Sequence, residues 1–295
     1  MIALCVSGPV TAPTDTACDR NCESIINDLL GGSNSNSGAR LDSVTVTRHG
    51  LEFRRADPFG TIGEHHRGQM AEALARAGVP SDREIVVNGR RFVFEDALRA
   101  YAVNLDADGQ TEWVIALLAH YADGRGVWRT KYGQRVSLGI LCDRLLASDH
   151  GSRACHGAHV YYAATLVLSA NARSSVISDR TANALKAFVD DEVRRLRSTQ
   201  NAEGLFPVPV ASNRRAAGAA TAFGYSSHTL EWLVLASAHV EVDDGMMERC
   251  AMRLLQEMLD YHDDQLRLNL CPVCHALSAL SLLWKANAAS TEAAP

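Results

Sequence analysis

The chain has 295 residues, a net charge of −5, 47% hydrophobic residues and 21% charged residues. This apolar content excludes a fully disordered protein and is enough for a sizeable core. The mild acidity offers no basic face for nucleic acid. No stretch approaches the roughly 18–20 continuous apolar residues that a membrane span requires. We therefore expect a soluble globular protein that binds no nucleic acid and has no membrane span.

The N-terminal segment looks separate from the rest of the chain. Asp15–Leu30 has the composition of a short helix, and Gly31–Gly38 is a Gly/Ser/Asn-rich flexible linker. We therefore assign residues 1–40 to an N-terminal arm with its linker and residues 41–295 to the main domain. Met1–Ala12 has no positively charged start, which makes it a poor signal peptide and favours a cytoplasmic location.

Two segments near the start of the main domain are predicted to be strands. Val44–Phe53 alternates enough to form one or two strands. Glu84–Phe94 contains Asn88-Gly89 between two apolar triplets, a pattern that favours a hairpin with a type I′ turn.

The remaining segments are predicted to be helices. They are His65–Ala77, Glu95–Leu105, Thr111–Ala122, Ser137–Ala147, Ala154–Ser169, Ser178–Ser198, Ser226–His239, Met246–Tyr261 and Pro272–Lys285. Ser137, Ser178 and Ser226 suit N-cap positions, and Pro272 suits a first helical turn. One connection, Ala202–Gly224, is long for a compact domain and is predicted to be either a functional lid or a disordered segment.

The predicted helices alternate between two kinds. Helices that are apolar almost all round are expected to be buried, and helices with one charged face suit an outer layer. This alternation predicts an all-α fold, specifically an α/α toroid with an inner and an outer ring, a small β-hairpin and the N-terminal appendage. A plain helical bundle or a solenoid is the alternative.

Polar residues with catalytic or metal-ligating chemistry lie on the apolar helices. Cys155 and His159 are four residues apart and are expected to share one helical face. His228 and Glu231 are three apart, which fits a general base with its orienting carboxylate or two metal ligands. Each of them also fits a buried polar group that a neighbouring backbone or side chain satisfies.

Two further helix starts carry candidates. Cys271, Cys274 and His275 open the last predicted helix, where the helix dipole favours thiolate. Glu112 opens another apolar helix and is either an acid in a central cavity or a carboxylate that stabilises the first turn. The candidate catalytic residues are His228, Glu231, His159 and Glu112. A candidate zinc site combines Cys155, His159, His228 and His275.

The starts of these helices share a pattern, with polar groups at Gly109–Trp113, Ala154–His159, Gly224–Trp232 and Cys271–Leu277. The segment Gln200–Phe206, just before the long loop, resembles the Gln/Gly/aromatic repeat of terpenoid cyclases and protein prenyltransferases. Gly63–Trp284 resembles that α/α-toroid superfamily, and it is most similar to bacterial members with Ala-Cys-x-Gly-x-His and His-Thr-Leu-Glu-Trp elements and no assigned reaction.

The chain departs from the characterised members of that superfamily at their active sites. It has no Asp-x-Asp-Asp acid, and Ser226 and His228 stand where the prenyltransferases have the Asp-x-Cys of their zinc site. The resemblance implies an enzyme for a small apolar or isoprenoid-like substrate, with acid–base or metal-assisted chemistry at the toroid mouth. A non-catalytic binding or scaffold protein and a carbohydrate-acting toroid enzyme are the alternatives.

Overall fold

The computed structural model describes residues 30, 44–54, 64, 66–105, 111–122, 126–150, 153–209, 219–261 and 270–292. The predicted N-terminal helix and linker lie outside these residues, apart from Leu30. Contacts divide the chain into two compact units, Met1–Leu141 and Cys142–Pro295. The described part is mostly helical, which confirms the main class of the fold; the toroid arrangement stays a prediction.

The described residues of the N-terminal unit form three antiparallel hairpins and three short helices. The hairpins are β1–β2 (Val44–Thr47 and Gly50–Phe53), β3–β4 (Glu84–Val87 and Arg90–Val93) and β5–β6 (Val127–Arg129 and Arg135–Ser137). The helices are α1 (Gln69–Arg76), α2 (Phe94–Val103) and α3 (Glu112–His120). Helix α1 packs on α3, and α2 packs on β2, β5 and α3.

The hairpin predictions for this unit are confirmed where the turn chemistry is local. Asn88 and Gly89 both have positive φ, 52° and 75°, as a type I′ turn requires. Val44–Phe53 forms two strands. The third hairpin, β5–β6, was not predicted, because its strands have three residues each and the sequence there shows no sustained alternation.

A buried carboxylate joins α1 to α3 in this unit. Glu72 is fully buried, and its Oε1 lies 3.1 Å from Nε2 of His120 and 3.9 Å from Nε of Arg76. A buried carboxylate is costly unless a partner compensates its charge. The Glu72–His120 pair thus connects α1 to α3.

The C-terminal unit is built of long helices. The boundary between the units falls within α4 (Leu138–Leu146), and α5 (Ala158–Ser174), α6 (Asp179–Thr199), α7 (Ala219–Ala236), α8 (Asp244–Asp260) and α9 (Leu270–Glu292) follow. Helix α7 packs against α5, α8 and α9, whereas α6 packs against α5. Helices α5 and α7 are buried along most of their length, and α6 and α8 bury one face, so these four helices alternate as predicted. The last helix, α9, was also predicted to be buried all round, but it buries one face and exposes Trp284.

The start of α6 lies where the sequence predicts it, because a serine side chain caps it there. Ser178 Oγ accepts a hydrogen bond from the Thr181 N–H at 3.2 Å, as predicted for an N-cap. The same prediction is wrong for Ser226, which lies inside α7. Its Oγ accepts from the Phe206 N–H at 2.8 Å, and the helix already begins at Ala219. The predicted loop Ala202–Gly224 is therefore shorter than expected, with residues 210–218 outside the described part.

The Gln200–Phe206 segment, which carries the repeat-like motif, forms a tight turn against α8. The Gln200 side-chain amide donates to the Gly204 carbonyl at 2.8 Å and to the Met246 carbonyl at 2.9 Å. One glutamine thus ties the end of α6 to the first turn of α8. Within the part of the chain that the structure describes, none of the helices combines the length and the hydrophobicity of a membrane span.

Candidate metal centre

His159 reaches the site from the first turn of α5, and the backbone before it is unusual. Cys155, His156 and Gly157 are consecutive residues with positive φ, at 50°, 56° and 82°. A Cβ on Gly157 would lie 2.6 Å from the His150 carbonyl oxygen, so glycine is required there. The regular helix consequently begins at Ala158, four residues later than predicted.

This turn changes the relation between Cys155 and His159. The prediction that they share a face of one helix is wrong, because Cys155 lies in the left-handed turn ahead of the helix. Its sulfur still comes within 4.8 Å of a ring nitrogen of His159. Left-handed conformations of residues other than glycine cost energy and concentrate at functional sites.

His228 lies in the middle of α7 and is oriented by the helix itself. Its Nδ1 is 2.7 Å from the carbonyl oxygen of Gly224, one turn earlier. A carbonyl oxygen can only accept a hydrogen bond, so Nδ1 carries the proton and the lone pair of a neutral ring lies on Nε2. His228 therefore presents Nε2 as its ligand atom.

His275 lies in the second turn of α9 and is oriented by a carboxylate. Its Nδ1 is 2.7 Å from Oε2 of Glu231, and the side chains of both residues are less than a tenth exposed. Because Nδ1–H donates to this carboxylate, Nε2 is the nitrogen that points away from it. The expected partner of Glu231 was His228 on the same helix, but the structure places the Glu231 carboxylate at His275 on α9.

The three imidazoles converge from three helices. The ring centroids are 3.8 Å apart for His228 and His275, 4.8 Å for His159 and His228, and 5.8 Å for His159 and His275. One ligand nitrogen from each ring lies within 4.8 Å of the other two. All three residues are buried, with 3 to 6% of their surface exposed.

The electrostatic environment of His275 reflects its carboxylate partner. Burial lowers the pKa of this imidazole. The negative charge of Glu231 and the hydrogen bonds with Cys271 and Glu231 raise the pKa by more than burial lowers it. The net effect raises the pKa from 6.5 to about 10. The carboxylate of Glu231 therefore stabilises the protonated form of this ring, and a metal that binds Nε2 displaces the proton from that nitrogen.

Two of the cysteines predicted near the site, Cys155 and Cys271, approach its histidines. Cys155, Cys271 and Cys274 are partly exposed thiols, with no disulfide among them. Cys271 is one helical turn before His275 and interacts with its side chain. Among the described residues, the ligand group that includes His228 and His275 is completed by His159 and not by Cys155. Three of the four predicted zinc ligands are thus brought together.

Glu112, the fourth candidate catalytic residue, belongs to the N-terminal unit. It is the first residue of α3 and is 1% exposed. A carboxylate in the first turn of a helix is stabilised by the helix dipole, which was the alternative to an acid in a cavity. Its catalytic role stays a prediction.

A second buried polar group in the C-terminal unit was not predicted. Arg195 donates two hydrogen bonds to Glu192, at 2.8 Å and 2.6 Å, and one to the Tyr225 hydroxyl at 3.1 Å. Glu192 and Arg195 are three apart on α6, which is the spacing of a helical ion pair and the signal that was available in the sequence. Tyr225 links this pair to α7, three residues before His228.

No family model matches this chain, and no curated protein or solved structure matches it. The resemblance to the α/α-toroid superfamily consequently stays a prediction. What the site does has to be inferred from its geometry and its donor atoms.

Proposed function

We propose that His159, His228 and His275 hold a divalent transition metal, with zinc as the first candidate, and that the protein is a metal-dependent enzyme. One observation carries this proposal: three buried imidazoles from three different helices bring their ligand nitrogens within 4.8 Å of one another. A hydrophobic core gains nothing from three adjacent imidazoles that a Leu or Phe would not supply better.

The donor atoms suit zinc. Neutral imidazole nitrogen is a preferred ligand of zinc, and three histidines with one open position are typical of catalytic zinc. Zn–N bonds of about 2.0–2.1 Å in a tetrahedron require ligand nitrogens about 3.3 Å apart. We expect small rotations of the three rings to bring the nitrogens from their present separations to that distance.

The hydrogen bonds at the far side of two rings support the same assignment. Metal-bound histidines almost always donate their other N–H to a carboxylate or a backbone carbonyl, which fixes the ring and its tautomer. His228 has the carbonyl of Gly224 in that position, and His275 has the carboxylate of Glu231. The two rings are thus oriented before any metal binds.

The chemistry follows from the number of protein ligands. A zinc ion on three histidines keeps a fourth position for water or substrate, lowers the pKa of bound water to about 7 and polarises carbonyl groups. The three histidines hold the ion, and Gly224 and Glu231 hold two of the rings. We propose metal-assisted chemistry in an α/α-toroid enzyme, with the small apolar or isoprenoid-like substrate resting on the resemblance alone.

The test is the metal content of the purified protein. Elemental mass spectrometry of the wild type is expected to give about one equivalent of zinc after dialysis, or after loading with ZnCl₂ and removal of the excess. His159→Ala, His228→Ala and His275→Ala each remove one ligand, and we expect each to weaken zinc binding by more than about 100-fold, beyond the loss for an outer-shell partner.

His239→Ala is the matched control. His239 lies in the same unit and is half-buried, and its Nε2 is 2.8 Å from Ser169 Oγ, outside the cluster. We expect this variant to bind zinc as the wild type does. A wild type that takes up no zinc, cobalt or nickel would overturn the proposal. It would leave the Glu231–His275 pair as the arrangement of a general base and its orienting carboxylate.

A further inference from the structure

Glu231 is a buried acid whose position the core itself does not explain. Its surface is 2% exposed, and its Oε2 is 2.7 Å from the His275 Nδ1. Burying a carboxylate is expensive unless a partner compensates its charge. The carboxylate therefore compensates the imidazole across the contact between α7 and α9.

A single stretch of α7 supplies three parts of the cluster. Gly224 provides the carbonyl that orients His228, His228 is four residues later, and Glu231 is three residues beyond that. At this spacing the residues lie on one side of the helix. Helix α7 thus carries one ligand and the orienting groups of two ligands, its own and that of α9.

We infer that Glu231 is a positioning residue of the metal centre, which fixes the ring of His275 and strengthens its Nε2 as a ligand. This inference rests on the proposed function. A carboxylate that accepts the Nδ1–H of an imidazole attracts its proton, so the ring gains electron density and Nε2 becomes a better donor. Glu231 acts through His275 and is one residue removed from the metal.

The consequence is measurable as metal affinity. Loss of an outer-shell partner of this kind typically weakens metal binding by about 10- to 100-fold. Glu231→Gln keeps the length of the side chain and one acceptor oxygen but removes the charge, so we expect a loss near the lower end. Glu231→Ala removes both the charge and the acceptor oxygen, and we expect a loss of affinity near the upper end of this range.

The experiment is a titration of the metal-free protein with Co²⁺, followed by visible absorption. The absorption bands report the ligand field at the metal, which a merely structural role of Glu231 would not alter. We expect Glu231→Gln to shift these bands and to raise the Kd for Co²⁺. Glu192→Gln is the matched control, because Glu192 is also a buried carboxylate of this unit and its partner is Arg195. Its spectrum and Kd are expected to equal those of the wild type.

The outcomes separate the two proposals. A wild type without Co²⁺ bands overturns the metal centre itself. Wild-type affinity and an unchanged spectrum in Glu231→Gln overturn the role of Glu231 while the metal centre stands.

A measurement on the wild type covers the case in which the variants do not fold. In ¹⁵N-labelled, zinc-loaded protein, His275 is expected to show metal on Nε2 and a strongly downfield proton on Nδ1. Metal on Nδ1, with the proton on Nε2, would contradict the inference.

Discussion

Each unit buries a carboxylate against an imidazole, and the two pairs differ in what surrounds the ring. In the N-terminal unit, Nε2 of His120 faces Glu72, and Arg76 shares the same carboxylate. In the C-terminal unit, Nδ1 of His275 faces Glu231 and the ring lies against two further imidazoles. A buried histidine–carboxylate pair is therefore not by itself a sign of function. The sign of function is that further metal-ligating side chains converge on the ring nitrogen that the carboxylate does not occupy.

Removal of the carboxylate charge is also expected to have different consequences in the two pairs. Glu72 compensates Arg76 and the ring of His120, so its role is the stability of the contact between α1 and α3. Glu231 compensates a ring that we propose as a metal ligand. Variants of the two carboxylates consequently should separate loss of stability from loss of metal binding.

The largest effect is expected for Glu72→Gln. Removing the charge of Glu72 leaves the Arg76 guanidinium without its buried carboxylate and weakens the hydrogen bond with His120, which we expect to cost about 3–5 kcal/mol of the free energy of unfolding. Urea denaturation followed by circular dichroism measures this cost, and the zinc affinity of the folded variant should equal that of the wild type. A loss below about 1 kcal/mol would show that the pair does not stabilise the contact.

A smaller effect is expected from two glycines with left-handed backbone. Gly89→Ala, at φ +75° with open space around it, should cost about 1 kcal/mol for the conformation alone. Gly157→Ala, at φ +82°, also places its Cβ 2.6 Å from the His150 carbonyl oxygen, which we expect to add about 1–3 kcal/mol. Thermal or urea unfolding of the two variants measures the difference.

The same pair of variants tests whether the left-handed turn serves the cluster. Gly157 immediately precedes α5, which carries His159 in its first turn. We expect Gly157→Ala to weaken Co²⁺ binding and Gly89→Ala to leave it unchanged. Equal Co²⁺ affinity in both variants would mean that the turn does not position His159.

The smallest effect is expected in thiol reactivity. Burial, with a contribution from the charge of Asp143, raises the pKa of Cys142 to about 12, and burial also raises the pKa of Cys250. Both thiols should remain protonated at pH 8 and react at least about tenfold more slowly with iodoacetamide than the partly exposed Cys155 and Cys271. Peptide mass spectrometry of the native protein measures these rates.

Zinc should sharpen the contrast among these thiols. Cys155 approaches His159, and Cys271 interacts with His275, so a bound ion is expected to slow their alkylation. Cys142 should react at the same rate with and without zinc. Unchanged rates at Cys155 and Cys271 would contradict a metal at the histidine cluster.

The sequence allowed correct predictions where the signal was local. The Asn88-Gly89 turn and the Ser178 cap each depend on a few adjacent residues, and both are as predicted. The predicted start of α7 was wrong because Ser226 does not cap the helix. Its hydroxyl accepts a hydrogen bond from the N–H of Phe206, 20 residues earlier in the chain. The predicted start of α5 was wrong because Cys155, His156 and Gly157 have left-handed backbone, and the His150 carbonyl leaves no room for a side chain at Gly157.

In the candidate site, too, local features could be predicted from the sequence and long-range contacts could not. Residue type and helical spacing were enough to select His159, His228 and His275, because ionisable groups on apolar helices require a partner or a use. The partner of Glu231 could not be predicted from spacing. Spacing along one helix pointed to His228, and only the packing of α9 on α7 places His275 at the carboxylate.

The separation of the three histidines along the chain has a consequence for unfolding. His159 and His228 are 69 residues apart, and His228 and His275 are 47 residues apart, by subtraction of their positions. The cluster therefore contains no local part that can persist in an unfolded chain, because each ring depends on a different helix. The mutual proximity of these rings should disappear in one step with the packing of α5, α7 and α9, so the histidine signals of this unit can serve as a gauge of its cooperativity.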